Sequence, residues 1–121
     1  MAIVLVRPLA KKLPKSMKEF ISGNWTKMAV FSLSKKQVSE FKNSKKLLVQ
    51  KIVFPKGFAF EEHSHERAQL LIVEKGFLTH FAEGKAFPQK KNELLVVPSF
   101  LPHTGISGDK EELAVFAFVK A

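Results

Sequence analysis

From residue 28 onward the chain is a succession of short apolar runs, at 28–33, 47–54, 58–60, 69–73, 77–82, 93–97 and 113–119, and this limits the fold more than any other feature. The runs are rich in Val, Ile, Leu and Phe and have the length of strands, not of helices. Gly57, Gly76, Gly84, Pro88, Pro98, Pro102 and Gly105 punctuate them with residues suited to turns. Strands this short at this spacing predict an all-β, antiparallel sandwich or barrel with little helix. Two connections read as hairpins: Glu74-Lys75-Gly76 and Ala82-Glu83-Gly84-Lys85, each with a glycine able to take a positive φ.

Residues 1–27 read as an N-terminal arm and 28–121 as one domain, a size ordinary for a single core. In the arm, 3–6 predicts a short strand, and Ser16 followed by Glu19 caps a brief helix over 16–21. A further turn or two of helix is expected within 34–42. An unpaired apolar strand in the arm is an edge hazard, so it is expected to add to a partner's sheet in a homodimer. The opening apolar stretch stops at Arg7-Pro8, too short for a signal sequence, and no run approaches the roughly 20 residues that span a bilayer. With no Cys in the chain, disulfides and thiolate ligands are excluded, which fits a cytoplasmic protein.

The net charge of +9 raises the question of nucleic acid. Eighteen of the twenty basic residues are Lys, however, and only Arg7 and Arg67 carry the guanidinium fork that base edges and phosphates favour. The lysines gather at 11–18 and 35–46, outside any helix-turn-helix or zinc-finger pattern. A solvated basic surface is expected, with weak attraction to acidic polymers and no specific nucleic-acid partner.

Four polar residues inside the apolar pattern carry the chemistry. His63 and His65, one residue apart, share a face if they lie on a strand. Gln69 opens the next run in phase with Leu71 and Val73. His103 lies far away in sequence, in the turn-like stretch Pro98-Ser99-Phe100-Leu101-Pro102-His103. Neutral imidazole is the commonest nitrogen ligand of first-row transition metals. Taken alone, the His-X-His pair is a weak signal for metal, and two solvated histidines beside Glu61 and Glu62 account for it more readily.

The spacing of the whole set resembles the cupin superfamily. Gly57, five residues, His63-Ser64-His65, three residues, Gln69, six residues and Gly76 resemble the first cupin motif, with Gln69 where that motif usually has Glu. Asn92, five residues, Pro98, Phe100 and His103 resemble the second, with Asn92 and Phe100 in place of two glycines and Ser107 where Asn is common. The resemblance covers about residues 45 to 119. It implies a double-sheet jelly roll with one divalent transition metal (Zn, Ni, Fe, Mn or Cu) bound by His63, His65, Gln69 and His103. A neutral Gln in place of a carboxylate leaves the site one unit more positive, which strengthens its Lewis acidity and weakens its hold on the ion.

Glu61 shares strand phase with the two motif-one histidines and is a candidate general base. His80, on the central run, is a candidate proton carrier opposite the metal. Phe58, Phe60, Phe100 and Phe118 are candidates for an apolar wall around a small organic ligand. The resemblance implies Lewis-acid chemistry on a small oxygenated substrate: isomerisation, ring opening or elimination. An iron dioxygenase and a non-catalytic binding module are the alternatives. Ordered polar groups in the cavity besides the ligands distinguish an enzyme from a binding module.

Overall fold

The computed structural model describes residues 3–8 and 25–120. Ten strands and one helix occur among them: β1 (Val4–Leu5), β2 (Ala29–Ser32), α1 (Lys35–Lys42), β3 (Leu47–Phe54), β4 (Ala59–His63), β5 (Gln69–Lys75), β6 (Leu78–Ala82), β7 (Lys85–Gln89), β8 (Glu93–Val97), β9 (His103–Ser107) and β10 (Leu113–Lys120). They form two five-stranded sheets, ordered β1-β7-β6-β9-β4 and β2-β8-β5-β10-β3. Every pairing is antiparallel except β1 with β7. This is the cupin jelly roll that the strand pattern and the motifs predict. The helix expected over 16–21 lies outside the described residues.

The inner strands β8, β5 and β10 of the second sheet are buried on both faces, which explains why their runs are continuously apolar where one-sided strands would alternate. Leu70, Ile72, Leu94, Val96 and Phe118 pack outward against Val38 and Phe41 of α1. Leu71, Leu95, Val97 and Ala117 point the other way, toward Ala82 and Phe87 of the first sheet. Each such side chain contributes about 1.5–3 kcal/mol through burial. A capping box starts α1: Gln37 N–H donates to Ser34 Oγ at 3.1 Å, and Ser34 N–H donates to Gln37 Oε1 at 2.8 Å.

Two expectations need correction. The segment around Gly76 is not a hairpin, because β5 and β6 belong to different sheets. Both edges of β5 are already bonded, to β8 and β10, so the chain must cross over. Gly76 turns it at φ +87, and a Cβ there would lie 2.6 Å from the Glu112 carbonyl oxygen. The Glu83-Gly84 connection is a hairpin, with both residues at positive φ as its tight turn requires. The arm strand, expected to cross to a partner, pairs in parallel with β7 of its own chain, Val4 opposite Lys85 and Leu5 opposite Ala86.

At the two positions where the second cupin motif has glycine, this chain holds Asn92 at φ 64 and Phe100 at φ 61. The turns are therefore preserved by placing ordinary side chains in the left-handed region, at a cost of about 1–2 kcal/mol for a bulky residue. Phe100 is 67% exposed and recovers little of that cost by burial. Phe100→Gly should accordingly raise the free energy of unfolding by about 0.5–1 kcal/mol in urea titrations, and Asn92→Gly by less, since Asn tolerates this region. Gly76→Ala should lower it by about 2 kcal/mol or more. A destabilised Phe100→Gly would contradict the strain assigned to this turn.

Candidate metal centre

The site is set by how β4 pairs with β9. Phe60 lies opposite Gly105, but His63 lies opposite His103, so three steps along β4 match two along β9. This bulge changes the inside–outside phase of β4, and both Phe60 and His63 line the same cavity. Glu61, placed in phase with His63 by simple alternation, is instead exposed and absent from the lining. His65 lies just past the end of β4. Its carbonyl oxygen accepts the Phe100 N–H at 2.7 Å, tying this segment to the loop that delivers His103.

His63, His65 and His103 converge: one ring nitrogen from each lies within 4.8 Å of the other two. Ring centroids are 4.7 Å apart for His63–His65, 4.4 Å for His63–His103 and 5.2 Å for His65–His103. His63 is exposed and His103 buried, so the cluster runs from the surface into the sandwich. His63 Nδ1 donates to the Glu61 carbonyl at 2.7 Å, and His103 Nδ1 donates to the Leu101 carbonyl at 2.8 Å. A carbonyl can only accept, so both rings carry a proton on Nδ1, and in a neutral ring this tautomer leaves the lone pair on Nε2. Metal-binding histidines are oriented in this way.

Electrostatics works in the same direction. Burial holds the His65 pKa below its ordinary 6.5, and the neighbouring His63 and His103 lower it further. Burial also lowers His103; its bond to Leu101 opposes that shift and the proximity of His63 adds to it. Neutral rings at neutral pH are what a divalent cation requires. Metal–nitrogen bonds of about 2.0–2.1 Å place donors roughly 3–3.5 Å apart, against separations of up to 4.8 Å here. The three histidines thus fit a metal ion.

Behind the triad lies a cavity of about 240 Å³. Its apolar wall includes Ile52, Phe54, Phe60, Leu71, Leu78 and Val115. Gln69 lines it, as its phase with Leu71 predicts. Of the four phenylalanines expected to form a wall, only Phe60 lines it, and Phe54 joins it from β3. Phe58 stacks on Phe54 and Phe60 at the rim, Phe100 faces solvent, and Phe118 lies under α1. The Thr104 hydroxyl is committed to the Phe60 carbonyl. Ser107, at the position where the motif often has Asn, accepts from Phe58 N–H and donates to the Pro55 carbonyl, holding the start of β4.

His80 lines the cavity as expected, but it is only 5% exposed and neither ring nitrogen has a hydrogen-bond partner among the described residues. Its ring centroid is 6.4 Å from that of His103. Burial, with a smaller repulsion from His103 and His63, pushes its pKa down to about 3. At neutral pH it is therefore a neutral hydrogen-bonding group and a weak proton carrier.

The depressed pKa has a consequence for stability. Below pH 6.5 an unfolded His80 takes up a proton that the folded protein refuses, so stability falls as pH drops and the loss levels off near pH 3. His80 alone should account for about 2 kcal/mol of the loss between pH 7 and pH 5. Urea unfolding of the metal-free protein at those two pH values should show a drop smaller by about that amount in His80→Leu. An equal drop in both proteins would contradict the buried, unpartnered placement.

Sequence comparison with curated proteins gives no match. Among solved structures the fold is similar to that of a cupin-like protein from Thermotoga maritima, at 26% identity and TM-score 0.56 over 77% of this chain and 68% of that one. It is similar to the DMSP lyase DddQ from Ruegeria pomeroyi, at 18% identity and TM-score 0.57 over 64% of this chain and 40% of the lyase. It is also similar to a salicylate 1,2-dioxygenase from Pseudaminobacter salicylatoxidans, at 17% identity and TM-score 0.55 over 62% of this chain and 21% of that enzyme. This chain thus spans well under half the length of either enzyme, and both likenesses concern the fold alone. The family model of the AraC-like ligand binding domain matches residues 55–118. Jelly roll, motif spacing and family match agree: the chain belongs to the AraC-like ligand binding domain family, within the cupin superfamily.

Proposed function

We propose that the chain is a metal-dependent cupin that binds a small oxygenated organic molecule and acts on it by Lewis-acid catalysis of the isomerase, ring-opening or lyase type. The observation that carries this reading is the convergence of three imidazoles at one cavity, two of them with Nδ1 tied to backbone carbonyls and Nε2 free. His63, His65 and His103 would hold the ion, with Gln69 as the fourth ligand through its amide oxygen. A divalent transition metal there supplies Lewis acidity toward a carbonyl or carboxylate oxygen.

The chain's own residues do the rest. The apolar wall excludes water and so strengthens every electrostatic interaction inside the cavity. No Asp, Glu, Lys or Arg lines it, so a bound molecule finds positive charge only at the triad. His80 offers a fixed polar contact at the inner end, the ordered polar group expected of an enzyme. A DMSP lyase and a dioxygenase among the structural neighbours support small-molecule chemistry on this scaffold.

A second reading has its own support. The matching family is one of ligand binding domains, the wall is mostly apolar, and the candidate base Glu61 faces solvent. On that reading the same site captures a small molecule without turnover.

Elemental analysis of the untagged protein should find about one equivalent of a transition metal, and none in the His63→Ala, His65→Ala double variant. Gln69→Glu should keep the metal and lose it to a chelator more slowly, because a carboxylate binds a divalent ion more strongly than an amide oxygen does. Iron as the resident metal would favour oxygen chemistry over Lewis-acid chemistry. Absence of metal from the parent, even after reconstitution, would overturn the catalytic reading and leave a metal-free binding module.

A further inference from the structure

His80 lines the cavity, Gln89 lies buried outside its lining, and the two side chains hold three orphaned polar atoms. His80 Nδ1, His80 Nε2 and Gln89 Oε1 are all buried without a hydrogen-bond partner among the described residues. Such an atom costs on the order of 1–3 kcal/mol when left unsatisfied, so three side by side call for a partner from outside the chain. The placement is built into the sheet. His80 lies opposite Phe87 in the β6–β7 pairing and Gln89 lies two residues further along β7, so the two side chains share a face.

Gln89 is rigidly held. Its Nε2 donates to the Leu71 carbonyl at 2.7 Å and to the Glu93 carbonyl at 2.8 Å. Both amide hydrogens are thereby used, and Oε1 is left over as an acceptor. Its effect on His80 is that of a nearby acceptor, favouring N–H on the ring, although the pair falls short of hydrogen-bond geometry. A neutral imidazole has one N–H and one lone pair. With an acceptor already beside it, what the ring lacks is a donor.

The rest of the cavity narrows the choice of ligand. At about 240 Å³ it lies below the roughly 300–1,000 Å³ typical of sites for drug-sized ligands. Its wall has no charged side chain, and Thr104 is already committed. A sugar acid would bury several hydroxyls with nothing to pair them, each at about 1–3 kcal/mol. A short chain with one charged end and one hydroxyl leaves nothing unpaired.

We propose that His80, backed by Gln89, is the specificity floor of the site and accepts a hydrogen bond from the hydroxyl of a short, otherwise apolar hydroxy acid whose carboxylate lies at the triad. This deepens the Lewis-acid reading and rests on it for the carboxylate end only. The floor itself stands on the orphaned atoms.

Calorimetric titration of the Zn²⁺-loaded full chain with 3-hydroxybutanoate, butanoate and galacturonate tests it. The hydroxy acid should bind about tenfold more tightly than butanoate, the worth of one buried hydrogen bond, and galacturonate more weakly than either. In His80→Leu, with Zn²⁺ uptake unchanged, the hydroxy acid and butanoate should bind alike. Equal binding of the two in the parent, a preference that survives in His80→Leu, or tighter binding of galacturonate would overturn the proposal.

Should His80→Leu fail to fold, the ring ¹⁵N resonances of His80 in the parent decide the matter. 3-Hydroxybutanoate should shift one nitrogen and butanoate neither; the same response to both overturns the proposal. Failure to take up any of Zn²⁺, Ni²⁺, Fe²⁺, Mn²⁺ and Cu²⁺ would sink the metal reading by itself, and the same panel on the metal-free protein would still decide the role of His80 by the same preference.

Discussion

The geometry of this protein depends on one pairing, that of β4 with β9, in which His63 stands opposite His103 across a bulge. Without the extra residue, alternation would send His63 to the solvent side whenever Phe60 faces inward, and the triad could not form around the cavity. The Phe100 N–H bond to the His65 carbonyl holds the same two segments together from the other side. That bond requires the backbone of Phe100 in the left-handed region, which this chain achieves without glycine. Local strain at an exposed phenylalanine is thus linked to where three imidazole nitrogens end up.

Much of the fold was legible in the sequence because the inner strands of its second sheet are buried on both faces. Runs such as Glu93–Val97 then appear as continuous apolar blocks with obvious ends. Two strands were not legible, for different reasons. β7 contains Pro88, which ordinarily argues against a strand; it is tolerated because β1 pairs only with Lys85 and Ala86, leaving no acceptor that needs a proline N–H. β9 buries His103, Gly105 and Ser107, so its inward face does not read as apolar.

The site divides along the same line. His63, His65, Gln69 and His103 were recognisable from spacing, and the structure gathers all four around one cavity. Glu61 was misplaced because alternation cannot anticipate a bulge. Gln89 is hard to recognise in the sequence, since a polar residue at the end of a strand ordinarily means a solvated turn. Its one available signal was its phase with Phe87, which places it on a buried face. No Lys or Arg lines this cavity, although the chain carries a net charge of +9, largely as lysine. Glu74, which meets Lys51 at 3.1 Å and Lys42 at 3.9 Å, forms exposed pairs that add little to stability. Among the described residues the candidate chemistry and the lysine charge are therefore separate, since the cavity lining holds no charged side chain.

Diffraction from crystals grown with Zn²⁺, recorded on both sides of the zinc absorption edge, tests the central claim most directly. The account predicts one anomalous peak at about 2.0–2.1 Å from Nε2 of both His63 and His103, with a nitrogen of His65 and the Gln69 amide oxygen completing the shell. A peak elsewhere, or bonds through Nδ1 with the carbonyls of Glu61 and Leu101 released, would contradict it.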